Sequence, residues 1–115
     1  MIIIETGTDE LLCRIEERVA VITLNKPHKK NALGDILTPA LRQILPVIEA
    51  DDRVGAVMLT GSGDAFCSGG DQAIRGNGGY LGDDGIPRLN VLDLQKIIRS
   101  LPKVVIALVP GFAIG

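Results

Sequence analysis

A chain of 115 residues with a formal net charge of −2 and a pI near 5.3 can bury one modest core. It has no overall basic field to draw it to nucleic acid or an anionic membrane. Aromatic residues are only 3% of it, too few for base-stacking platforms, and the 46% apolar content is near the globular average, so the expectation is a soluble cytoplasmic protein.

Met1-Ile2-Ile3-Ile4 runs straight into Glu5 with no basic stretch ahead of it, unlike a signal peptide. Leu11 to Glu16 and Val19 to Leu24 are rich in apolar and β-branched residues and are split by Glu17-Arg18, which predicts a hairpin. Asn25-Lys26-Pro27-His28-Lys29-Lys30-Asn31 is a polar, basic loop, and such lysines and histidines usually form a solvated face. Ile36, Leu37, Ala40, Leu41, Ile44, Leu45 and Ile48 recur at helical spacing. Thr38 and Pro39 suit the N-cap and first helical position, and Pro46 should kink or end the helix.

Gly55 to Thr60 reads as a buried strand, followed by Gly61-Ser62-Gly63-Asp64 and then Phe66-Cys67-Ser68-Gly69-Gly70-Asp71-Gln72. Residues 76–87 hold five glycines and Tyr80, which predicts a long surface loop. Leu89 to Leu101 reads as a second helix, closed by Pro102. Lys103 to Val109 reads as another strand, and its apolar run is too short to span a bilayer. A hairpin followed by two strand-then-helix passages predicts an α/β fold in one domain without a linker.

Several chemistries are disfavoured. Two cysteines, Cys13 and Cys67, in an acidic domain point to free thiols. A single histidine, His28, gives no zinc spacing, and Asp83-Asp84-Gly85 lacks the alternating ligands of a calcium loop. Cys67 has no histidine near it in sequence, so a small buried residue suits it better than a nucleophile. In a dinucleotide fingerprint started at Gly61-Ser62-Gly63 the third glycine would fall on Phe66, and Gly76, Gly78 and Gly79 follow no strand.

Ser68-Gly69-Gly70-Asp71 and Pro110-Gly111-Phe112-Ala113-Ile114-Gly115 are each, taken alone, ordinary tight turns. Two such turns separated by a helix would emerge on one edge of a parallel sheet, where α/β proteins bind ligands. Glycine there lets a ligand approach backbone N–H groups closely, which is how an oxyanion is held without a side-chain acid. Asp71 beside such a turn suits capping better than base catalysis.

Three blocks in order resemble the crotonase (enoyl-CoA hydratase/isomerase) superfamily. They are Asn25-Lys26-Pro27…Asn31-Ala32-Leu33, Leu59-Thr60-Gly61…Phe66-Cys67-Ser68-Gly69-Gly70-Asp71, and Pro102-Lys103…Ala107…Val109…Gly111…Ala113-Ile114-Gly115. Within it, Gly69 to Gln72, Arg75-Gly76, Gly78-Gly79-Tyr80 and Leu89-Asn90-Val91-Leu92-Asp93-Leu94-Gln95 resemble the 1,4-dihydroxy-2-naphthoyl-CoA synthases of menaquinone biosynthesis. Ala73, where those synthases typically carry lysine, departs from their pattern, and Gly63-Asp64-Ala65-Phe66 is similar to the general hydratases instead.

The resemblance implies a crotonase-like spiral of ββα units, of which residues 1–115 are the N-terminal part of a single domain, truncated after the second glycine turn. It implies homo-trimers or hexamers, and an acyl-CoA thioester whose enolate is met by two backbone N–H groups. Gly70 matches the first donor, and the second would lie just past Gly115. Lys30 matches a position that contacts the CoA phosphates. Ser68, Gly69, Asp71 and Gln72 match the thioester and pantetheine path, and Tyr80 a loop over the aromatic part of the substrate. Arg75, Phe112, Ala113, Ile114 and Gly115 complete the expected binding set.

No metal or redox cofactor is implied, CoA being part of the substrate, and the position at which bicarbonate could serve as base lies beyond the chain. The expected reaction is the intramolecular Claisen cyclisation of o-succinylbenzoyl-CoA. An enoyl-CoA hydratase, a cyclic ketoacyl-CoA hydrolase and a non-catalytic fragment stay open. With only one of two donors present, residues 1–115 alone are expected to show no cyclisation.

Overall fold

In a computed structural model, described for residues 1–63, 65–67, 91–109 and 112–113, the expected hairpin forms from β2 (Leu11–Glu16) and β3 (Val19–Leu24). They pair antiparallel with Cys13 opposite Ile22, and Glu17 and Arg18 make the turn with positive φ values of 47° and 70°. A strand absent from the sequence reading precedes them: β1 (Ile2–Ile4) adds antiparallel to β2. β4 (Ala56–Gly61) then pairs parallel with β3, and β6 (Val104–Leu108) parallel with β4, giving a five-stranded sheet in the order β1-β2-β3-β4-β6. The last two strands fall within a residue of their expected limits.

Strand alternation decides which face is buried. Leu11, Cys13 and Ile15 of β2, Ala20, Ile22 and Leu24 of β3, and Val57 of β4 stand in register on one face and are almost wholly inaccessible. Helix α1 (Leu37–Ala50) contributes Leu37, Ala40, Leu41, Ile44, Leu45 and Ile48 to the same core. Helix α2 (Val91–Ser100) adds Ile97 and Ile98 at its margin. Leu12, Val104, Ile106 and Leu108, on the other face, are about half exposed or more.

One expectation for α1 is corrected and a second, that Pro46 kinks or ends it, is narrowed. Its N-cap is Ile36, without a side-chain cap, and Thr38 lies inside the helix, 1% exposed, with its hydroxyl unpaired among the described residues. Its N–H instead donates to Gly34 O at 3.2 Å, so the first turn is bonded by backbone alone, and Pro39 sits where an N–H would be orphaned anyway. Pro46 does not end the helix, which runs on to Ala50. A mid-helix proline costs about 3 kcal/mol, and the buried side chains on both sides of it, Leu45 and Ile48, offset that cost. Residues 89 and 90 of the second predicted helix lie outside the described set, and α2 stops at Ser100.

The last turn of α1 contains no basic residue, and the cation comes from elsewhere in the chain. Lys103 Nζ, just before β6, donates to Ile48 O at 2.9 Å and Asp51 O at 2.8 Å. It thereby adds a charged donor to two carbonyls that already accept the backbone N–H groups of Asp51 and Val54, and it faces the negative end of the helix dipole. Nearby, the Arg53 guanidinium bonds the Asp51 carboxylate (Nη2–Oδ2 2.7 Å) and holds its pKa at about 2. Replacing Lys103 with methionine keeps the stem but strips both bonds. It is expected to cost about 1.5–3 kcal/mol, the range for hydrogen bonds to charged groups. Urea denaturation checks this, and an unchanged midpoint would show that the tie carries no net stability.

Candidate active site

The parallel strands β3, β4 and β6 all end on one edge of the sheet, at Leu24, Gly61 and Leu108. That is the edge at which open α/β sheets bind ligands. The glycine turns do not leave these strands directly, as the sequence suggested. Short segments intervene: β5 (Ala65–Cys67) and β7 (Phe112–Ala113) form a separate parallel two-stranded ladder. In it Ala65 is opposite Phe112 and Cys67 opposite Ala113, with a bulge between. The segments that lead into Ser68-Gly69-Gly70 and Ile114-Gly115 therefore end side by side.

Of the expected site residues, Ser68, Gly69, Gly70, Asp71, Gln72, Arg75, Tyr80, Ile114 and Gly115 lie outside the described residues, as do Asp83 to Gly85. Phe112 and Ala113 are placed as β7. Cys67 is buried, as expected of a small core residue. Lys30 is half-buried and closes a short 3-10 turn, Pro27–Lys29, with a left-handed φ of 52° and its N–H on Pro27 O at 3.1 Å. His28 and Lys29 are exposed in that turn.

What sequence reasoning missed is the polar joint beneath Lys30. Asn31 is fully buried with φ 56°. Its Oδ1 accepts the Lys26 N–H at 2.7 Å and its Nδ2 donates to Ser62 O at 3.0 Å. Ser62 Oγ donates to Asn25 Oδ1 at 2.9 Å, and Asn25 Nδ2 donates to Asp9 O at 2.8 Å. Lys26, 8% exposed, lies 3.7 Å from a Glu10 carboxylate oxygen. Gly63 has φ 77°, and a Cβ there would stand 3.0 Å from Pro27 Cβ, so any side chain would be both strained and crowded. Three loops, after β1, β3 and β4, are thus bolted together at the carboxyl edge. The available signal was an asparagine closing a lysine-rich loop, since asparagine is among the few side chains that tolerate the left-handed region.

The core thiol nearest the hairpin sets a pH limit. Cys13 is 4% exposed, and burial pushes its pKa from the ordinary 9.0 up to about 11. The folded state holds the proton more tightly than the unfolded chain. The resulting stability is complete below pH 9 and is lost as pH rises through 11. The stability difference between the chain and its Cys13→Ala variant is expected to be constant from pH 7 to 8 and to narrow between pH 9 and 11. A pH-independent difference would contradict this.

Residues 14–115 match the sequence profile described as enoyl-CoA hydratase/isomerase. The chain belongs to that family. An enoyl-CoA hydratase/isomerase family member of known structure is similar with a TM-score of 0.79 and 27% identity. The enzyme of that description from Xanthobacter autotrophicus Py2 is similar with a TM-score of 0.75 and 32% identity. The enoyl-CoA hydratase EchA1 from Mycobacterium marinum gives a TM-score of 0.70 and 28% identity. These comparisons cover 89–92% of this chain but 39–41% of the others. The enoyl-CoA hydratase/isomerase, or crotonase, fold is therefore present here over about two-fifths of the length of those relatives. Among the described residues no helix is long and apolar enough to cross a membrane.

Proposed function

We propose that this chain is the N-terminal, enolate-stabilising part of an acyl-CoA enzyme whose reaction is the closure of o-succinylbenzoyl-CoA to 1,4-dihydroxy-2-naphthoyl-CoA. The observation that carries the reading is the parallel ladder in which Cys67 stands opposite Ala113. Gly70 is three residues beyond Cys67, and Ile114-Gly115 follow Ala113, so the two glycine turns expected from the sequence would depart from neighbouring strand ends. Amides drawn from two such turns can meet one thioester oxygen as negative charge develops on it.

In the ring closure a base takes a proton from the carbon beside the thioester carbonyl, and charge moves onto the thioester oxygen. The carbanion then bonds to the second carboxyl carbon of the same molecule, water leaves, and the thioester is retained. Gly70 N–H is the first oxyanion donor in this reading, and Lys30 faces the CoA phosphates. Ser68, Gly69, Asp71, Gln72 and Arg75 line the thioester and pantetheine path, and Tyr80 covers the aromatic ring. The Leu89 to Gln95 run supports the cyclisation. The names of the similar solved structures favour a second reading, addition of water to an enoyl-CoA. A cytoplasmic trimer or hexamer goes with either reaction.

The test gives the chain o-succinylbenzoyl-CoA and, separately, crotonyl-CoA, with binding followed by calorimetry and products by mass. Loss of one water marks cyclisation and gain of one marks hydration. Binding without turnover is the expected result, because lacking one oxyanion donor typically costs about 100- to 1,000-fold in rate. Turnover would overturn the need for a further donor, and failure to bind either thioester would overturn the acyl-CoA reading.

A further inference from the structure

We propose that Asn31 is a positioning residue that sets where the Lys29-Lys30 loop stands relative to the carboxyl ends of β3 and β4, the edge on which the acyl-CoA site is placed in the reading above. It fixes the Lys29-Lys30 loop against the exit of β4, an inference that rests on the acyl-CoA reading above. A solvated loop needs only a residue that tolerates positive φ at this point, and glycine would do. Asn31 is instead wholly buried with its amide committed in two directions. Oδ1 holds Lys26 N–H at 2.7 Å, which shapes the loop itself. Nδ2 holds Ser62 O at 3.0 Å, 31 residues away in the chain. Ser62 in turn donates its N–H to Leu24 O at 2.8 Å and begins the connection to β5. A buried amide is tolerated only when its bonds are made, so this arrangement ties loop placement to the exit of β4.

The chemistry gives that tie a purpose. Acyl-CoA presents phosphates at one end and a thioester at the other, joined by a flexible pantetheine arm. Ordering the arm costs conformational entropy, and a protein that already holds both contact points at a fixed separation reduces the cost of binding. Lys29 and Lys30 belong to the loop that Asn31 shapes, and Cys67 closes the strand that follows Ser62 and Gly63.

The experiment measures the nucleotide gain, defined as the dissociation constant of an acyl-pantetheine divided by that of the matching acyl-CoA. It compares the wild-type chain, Asn31→Gly, Asn31→Asp and the control Ser62→Ala, with thermal melts confirming that each folds. Asn31→Gly permits the left-handed backbone but drops both bonds. Asn31→Asp keeps an acceptor for Lys26 N–H and drops the donor to Ser62, so it separates loop shape from loop placement. In the wild type the gain is expected to be at least about tenfold, the scale of one charge-assisted hydrogen bond. In both Asn31 variants it should fall towards unity, and in Ser62→Ala, which leaves the Ser62 carbonyl in place, it should persist.

A structural role alone would weaken both ligands equally and leave the gain unchanged, which overturns the proposal, as does a wild-type-like gain in Asn31→Asp. A wild-type chain that binds acyl-CoA no better than acyl-pantetheine overturns it while the thioester reading stands; binding of neither removes the reading itself. Should the variants not fold, amide exchange in the wild type decides. Acyl-CoA must slow Asn31 and Ser62 together, and protection of Asn31 alone overturns the tie.

Discussion

Leu41→Ala is expected to lower the stability of the chain by about 2–5 kcal/mol, the range for deleting a buried leucine. Leu41 is 2% exposed at the middle of α1 and belongs to the cluster with Leu11, Cys13, Ile22 and Val57 of the sheet. Truncation removes the transfer energy of the lost carbons and leaves a cavity that the strands can fill only by bending. The β2–β3 hairpin and the parallel ladder to β4 are bonded along their length, so collapse is restricted and the upper half of the range is favoured. Small domains have about 5–15 kcal/mol in all, so the variant should melt well below the parent. Urea unfolding followed by circular dichroism measures the change, and a loss under about 1 kcal/mol would show that the α1–sheet core is not tightly packed.

Asn31→Ala is expected to cost about 3–7 kcal/mol, from two sources. Lys26 N–H and Ser62 O each lose a partner in a partly or wholly buried setting, about 1–3 kcal/mol apiece. Alanine in the left-handed region adds about 1 kcal/mol. Asn31→Gly should recover the backbone share and no more, so the difference between the two variants isolates it. Equal stability of the two would show that the φ of 56° carries no strain for alanine. A total below about 1 kcal/mol would mean that water replaces both bonds at little cost.

The two predictions fall on features of unequal legibility. Leu41 stood out in the sequence because its stripe from Leu37 to Ile48 repeats at helical spacing, a local and periodic signal. The hairpin and strands β4 and β6 were legible because short β-branched and apolar runs are likewise a local signal, written in consecutive residues. β1 was not, because three isoleucines after a methionine carry no period, and only pairing with Ile15, Arg14 and Cys13 makes them a strand. Thr38-Pro39 looked like a helix start by residue type, yet packing pulled Leu37 into the helix and buried Thr38 behind it. Pro46 looked like a kink or a stop, and the helix runs past it to Ala50 with Leu45 and Ile48 buried on either side.

The site divides along the same line. The sequence by itself determined the family and the α/β character of the chain, since both are written in short local runs of residues. Only the tertiary structure decided that β5 and β7 form a ladder apart from the main sheet, with Cys67 and Ala113 side by side. Only it revealed Asn31 as the joint beneath Lys30, with Ser62 as the far anchor. Hydrogen bonds between groups 31 residues apart leave no periodic trace in a sequence, because their geometry exists only once the strands have set the register.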